Sequence, residues 1–149
     1  MDEKYMYDAL LAAKKAGKLG EVPVGAVIVR DGEIIAEGYN RRECDKNPLA
    51  HAELIAIDQA SKKLGGWRLT GCTLYVTLEP CPMCCGGIIN SRIERVVFGA
   101  YDKKSGAVSS VQSMFDLPYN HKPEIKGGVL ENECSQILSD FFKGLRMKK

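Results

Sequence analysis

No apolar stretch in this chain approaches the ~20 residues that a helix needs to cross a bilayer, so a membrane-spanning helix is not expected. Charge of one sign is also missing. Twenty-one Lys and Arg face 19 Asp and Glu, a formal charge of +2, too small by itself to argue for RNA or any other polyanion. Linkers, low-complexity tracts and internal repeats are absent, which sets aside disordered and solenoid architectures. The first residues, Asp2-Glu3-Lys4, lack the basic segment and apolar run of a secretory leader. The six cysteines are therefore expected in a reducing, cytoplasmic compartment. There a Cys-x-x-Cys stretch signals metal or redox chemistry more often than a disulfide.

What is present describes one globular domain over residues 1–149. Apolar content of 45% and charged content of 27% are ordinary for such a domain. The length suits a full hydrophobic core and is too short for two ordinary ones.

Met6, Ala9, Leu10 and Ala13 recur at helical spacing, and Gly17 and Gly20 are expected to stop that helix. Residues 24–30 read as a buried strand, Asp31-Gly32 as a two-residue hairpin turn, and residues 33–39 as the returning strand. A polar loop from Asn40 to Ala50 leads to a helix starting near His51 and ending at Gly65-Gly66. Residues 72–78 form a third strand, and Pro82 opens a helix to about Asn90. Residues 94–99 make a fourth strand. Residues 101–119 look loop-rich, with a short helix near 109–114, and residues 124–129 suggest an edge strand. The last helix, near 132–145, carries Ile137, Leu138, Phe141 and Leu145 on one side. Trp67 reads as a packing residue, and the Lys148-Lys149 tail as a frayed end. Strands alternating with helices imply a layered α/β domain.

The chemistry is concentrated in two short stretches. His51-Ala52-Glu53 is followed, thirty positions after the histidine, by Cys81-Pro82-Met83-Cys84. Catalytic zinc sites keep three protein ligands and leave the fourth position for water, whereas structural sites use four. His51, Cys81 and Cys84 make three, and Glu53 is then free to handle protons as a general acid and base. Cys81 and Cys84 lie one helical turn apart, so both sulfurs face one point. Both ligand stretches start helices, whose N-termini favour thiolates. The arrangement matches the known H-x-E and P-C-x-x-C signature of zinc nucleobase deaminases, a match rather than a derivation.

With Thr77-Leu78-Glu79-Pro80 added, these stretches resemble the tRNA-specific adenosine deaminases of the cytidine deaminase superfamily. Further likeness lies in residues 23–27, 91–93, 97–100 and 138–142, so the resemblance runs from about residue 5 to 146. It implies a three-layer α/β/α fold with a five-stranded mixed sheet, and a homodimer built on it. It implies one Zn2+ per chain and conversion of the wobble adenosine in a tRNA anticodon stem-loop, in arginine tRNA, to inosine. By the same resemblance Asn40 holds base and ribose, and Asp102 and Ser105 stand near the substrate sugar and backbone. Phe142 and Arg146 on the last helix meet the anticodon loop. Arg41, Arg42, Lys103, Lys104, Lys143 and Arg146 are candidates to follow phosphates.

Plainer readings stand beside these. A closed structural zinc site would recruit a fourth ligand from Cys44, Cys72, Cys85, Cys134 or His121. Successive helical residues diverge, so Cys85 cannot readily share a metal with Cys84. A buried thiol suits it better, and Cys44, Cys72 and Cys134 are expected to be unpaired. Asn40 and Asp102 could simply form turns, and His121 could be a surface residue. Three rivals to tRNA deamination remain: deamination of a free base or nucleoside, a non-catalytic RNA-binding zinc module, and a thiol redox protein. The first shares the zinc site, the second would lack Glu53's chemistry, and the third would work without zinc.

Overall fold

The computed structural model of the chain describes residues 1–147; the Lys148-Lys149 tail lies outside the described residues. Helix α1 (Asp2–Lys18) has Asp2 and Glu3 in its first turn and Lys15 and Lys18 in its last, each complementing the helix dipole. Its buried face is Tyr5, Met6, Ala9, Leu10, Ala12, Ala13 and Ala16. The helix continues through Gly17, where the sequence suggested a stop, and ends at Lys18, with Leu19 as its C-cap. A helical glycine costs about 1 kcal/mol, less than the burial of this apolar face returns.

Strands β1 (Gly25–Arg30) and β2 (Glu33–Tyr39) form the expected hairpin. Asp31 and Gly32 both adopt positive φ, at 52° and 77°, as a two-residue turn between twisted strands requires. With β3 (Cys72–Leu78), β4 (Arg95–Ala100) and β5 (Glu124–Lys126) they complete a five-stranded sheet in the order β2-β1-β3-β4-β5. Pairings are antiparallel from β2 to β3 and parallel from β3 to β5. The sheet is mixed, as the resemblance implies. Strand β5 is shorter than the expected 124–129, because its ladder with β4 closes after Lys126.

Helices α2 (Ala52–Leu64) and α3 (Pro82–Ser91) cover one face of the sheet, and α1 with α4 (Glu131–Met147) covers the other. Strand alternation decides which residue goes where. Ala26, Ile28, Leu74, Val76, Val96 and Phe98 pack toward α2 and α3. Val27, Val29, Tyr75 and Val97 pack toward α1 and α4. One contact bears directly on the site. A Cβ on Gly38 of β2 would collide with the Ala52 carbonyl, so the glycine lets the first turn of α2 press onto the sheet.

Three expectations need correction. A helix over 109–114 does not form; the helical turn is a 3₁₀ turn at Met114–Asp116. The amides of Val108, Ser109 and Ser110 instead go to the Glu79 carboxylate. Trp67 is 55% exposed rather than packed. The guanidinium groups of Arg68 and Arg92 stand 4.5 and 5.7 Å from its ring centroid and cover it in place of a core. Leu145 is exposed, while Ile137, Leu138 and Phe141 on α4 are half-buried.

Candidate active site

His51 and Cys81 occupy the residues just before α2 and α3, both in extended backbone, and neither side chain caps its own helix. Both side chains are thus left for another task. Because the two helices pack on the same sheet face, their starts converge. The Nδ1 atom of His51 lies 3.7 Å from Cys81 Sγ and 3.5 Å from Cys84 Sγ. All three donor atoms fall within 4.8 Å of one another. A tetrahedral centre with bonds of about 2.0 Å to nitrogen and 2.3 Å to sulfur has N···S edges of about 3.5 Å. The donors fit zinc.

Among the described residues the cluster stops at these three. Cys85, the nearest rival in sequence, turns its sulfur toward the Pro80 carbonyl at 3.8 Å. Cys72 and Cys134 are buried elsewhere, Cys44 is exposed, and all six thiols are free of disulfides. His121 places Nε2 2.7 Å from the Ile93 carbonyl oxygen, a structural contact outside the recess described below. A three-donor set leaves room for water, the arrangement of catalytic rather than structural zinc.

The cluster's electrostatics follow from crowding. The Cys81 sulfur is held down to about 4 by its hydrogen bond with Cys84 and by neighbouring His51, against the cost of burial. Cys84 is pushed up by the same hydrogen bond and by burial. His51 is raised by its contact with Cys81. Glu53, on the first turn of α2 and 4% exposed, is raised to about 7 chiefly by burial. A carboxyl poised near neutrality can both take and return a proton.

His51, Glu53 and Cys81 line a recess of about 180 Å³, closed by Val24, Asn40, Leu78, Glu79, Asp102 and Ser105. It opens into a larger recess of about 550 Å³ bordered by Arg42, Tyr101, Lys103, Lys104, Leu138 and Phe142. Val22, Arg42, Leu78, Asp102 and Ser105 border both. Asn40 is 8% exposed, and its Oδ1 accepts the Ala52 amide at 2.9 Å, capping α2 from another strand's end. With that oxygen committed, its NH2 group is the end left for a ligand. Asp102 does form a turn, accepting the Lys104 and Ser105 amides at 3.1 and 3.2 Å, and it lines the recess as well. Phe142 is 43% exposed on the outer recess, edge-to-face with Phe141. Arg146 is exposed on α4 and borders neither recess, and Arg41 is tied to Asp45 at 3.1 Å.

Two carboxylates escaped the sequence reading. Glu21 is buried and accepts the amides of Glu43 and Cys44 at 3.2 and 2.7 Å, holding the loop that carries Arg42. Glu79 does the same for residues 102–110. Burial pushes its carboxyl up, but the donors from Ser110, Ser109 and Asp102 prevail and hold it low. The one hint in the sequence is a carboxylate ending an apolar strand.

Residues 1–100 match the family model for the cytidine and deoxycytidylate deaminase zinc-binding region. The chain is 54% identical over 149 residues to the tRNA-specific adenosine deaminase of Bacillus subtilis, covering 99% of this chain and 92% of that protein. The chain belongs to the tRNA-specific adenosine deaminase family. A second member, from Haemophilus influenzae, is 52% identical and covered over 87% of its length, against 99% of this chain. A solved structure from a study of A-to-I editing by tRNA:A34 deaminases superposes with a TM-score of 0.88 at 45% identity. That superposition covers 91% of this chain and 99% of the other. Zinc is this family's cofactor, and the donors that fit it here lie at the heart of a tRNA deaminase fold. No helix among the described residues is long and apolar enough to cross a membrane.

Proposed function

We propose that the chain hydrolyses the wobble adenosine of a transfer RNA to inosine, with His51, Cys81 and Cys84 holding zinc and Glu53 moving protons. The observation that carries this reading is the buried Glu53 carboxylate beside a donor cluster that, among the described residues, stops at three, in a chain of this family. Zinc, when bound, supplies the Lewis acidity that brings the ionisation of water toward neutral pH. Glu53 accepts a proton from the attacking water, delivers one to the adjacent ring nitrogen, and assists the departing amine. Adenosine and water become inosine and ammonia, with no oxidant or reductant involved.

The inner recess receives the base, and the Asn40 carboxamide holds base and ribose. Asp102 and Ser105 meet the sugar and backbone. The outer recess takes the neighbouring nucleotides: Phe142 offers a stacking face, Arg42, Lys103 and Lys104 offer charge, and Arg146 meets the loop further out. A loop base costs less to extrude than a paired one, which suits an anticodon. Arginine tRNA is the substrate, in the cytoplasm. The whole chain acts as a single domain and works as a homodimer with one zinc per protomer.

The test is a substrate panel. Zinc-loaded protein is incubated separately with an arginine tRNA bearing an unmodified wobble adenosine, and with free adenosine, cytidine and guanine. Inosine in the tRNA alone supports the reading. Turnover of a free base or nucleoside with none in tRNA would move the same zinc chemistry to a small-molecule substrate.

A further inference from the structure

Glu79 is the last residue before Pro80-Cys81, and five hydrogen-bond donors from one loop converge on it. Its Oε1 accepts the Asp102 amide at 3.0 Å and the Ser110 hydroxyl. Its Oε2 accepts the amides of Val108, Ser109 and Ser110 at 3.1, 2.8 and 3.0 Å. The residue is 2% exposed. The next residue joins in, since the Pro80 carbonyl accepts the Ala107 amide at 2.8 Å. Gly106 completes the wrap: a Cβ there would collide with the Glu79 carboxylate. Residues 102–110 are thus folded around a single buried anion, because a buried charge is tolerated when donors satisfy it. That loop carries Asp102 and Ser105, which line both recesses.

We propose that Glu79 is a positioning residue for substrate: it fixes the 102–110 loop against the strand leading to Cys81 and so sets where Asp102 and Ser105 stand. The inference rests on the reading of the recess as the RNA pocket. Metal ligand and pocket wall are then held by consecutive residues, so the two cannot drift independently. A displacement of about 1 Å in such a wall is enough to lower substrate use by up to about a hundredfold.

Glu79→Gln keeps the shape but turns an NH2 group toward amide hydrogens. The expected result is unchanged zinc per chain and a KM for a wobble-adenosine stem-loop raised about tenfold or more. The kcat should stay within about threefold, and amide exchange in 102–110 should quicken by about tenfold while the sheet amides keep their protection. Gly106→Ala, which keeps the Glu79 carboxylate but forces it and the loop apart, should raise KM in the same way and covers the case in which Glu79→Gln does not fold. Unmoved KM in the folded variants, or loop amides as protected as before, would overturn the proposal. Zinc loss with a lower unfolding temperature and no KM effect would do so too, assigning Glu79 to the fold alone. The exchange measurement needs no substrate, so a wild-type chain inactive on tRNA would indict the substrate reading and leave the loop anchor separately decided.

Discussion

The Nδ1 atom of His51 and the Sγ atom of Cys84 stand 3.5 Å apart across 33 residues of sequence. The contact exists because two helices that begin at the same end of the sheet pack side by side on one of its faces. His51→Ala is therefore expected to drop zinc from one per chain toward zero, as measured by elemental analysis of the purified protein. The ligands bind metal only after losing their protons, so acidification should release zinc with uptake of protons. Full zinc retention in the variant would mean that another residue completes the site.

The order of elements was legible because the strands and helices here are strongly periodic and their turns carry diagnostic residues. Asp31-Gly32 and Pro82 behave as their chemistry demands. The convergence of three donor residues was legible too, since they lie in two short stretches. The loop geometry was not. The donors to Glu79 come from 23 to 31 residues downstream, and no local pattern announces them. Nor does a pattern announce that Asn40 caps a helix starting twelve residues later. Trp67 misled for a similar reason: residue type says bury, but its neighbour Arg68 and the distant Arg92, at the end of α3, shield its ring at the surface.

Asp2 gives a stability prediction with a definite pH dependence. Arg95 grips its carboxylate with two hydrogen bonds of 2.8 and 2.9 Å, and Tyr75 and Lys126 add one each at 2.8 and 3.2 Å. The Arg95 contact, opposed by burial, holds the folded-state carboxyl well below the usual range. Since the unfolded value near 3.9 is higher, the stabilisation is complete above that pH and drains away as pH falls toward the folded-state value. Asp2→Asn should cost about 2 kcal/mol at neutral pH. The gap from wild type should narrow in denaturant titrations run below about pH 4. An equal gap at both pH values would contradict this.

Phe142 and Arg42 both border the outer recess. Stacking of a base on an aromatic ring is worth about 1–3 kcal/mol. Phe142→Ala should therefore raise KM for the stem-loop by at least about fivefold and leave zinc content untouched. Arg42→Ala should also raise KM, and it should flatten the dependence of binding on salt concentration by about one phosphate contact. If neither change alters RNA binding, the nucleotides beside the wobble base lie elsewhere.

The most direct measurement compares wild type with zinc-loaded Glu53→Ala on the same wobble-adenosine tRNA. Inosine is mapped by position and released ammonia is counted. The expected result for wild type is one ammonia per inosine, at the wobble position. For the variant it is full zinc occupancy with turnover lowered by about a hundredfold to ten-thousandfold. Undiminished wobble inosine in the variant would contradict the central claim that this buried carboxylate carries the protons of the reaction.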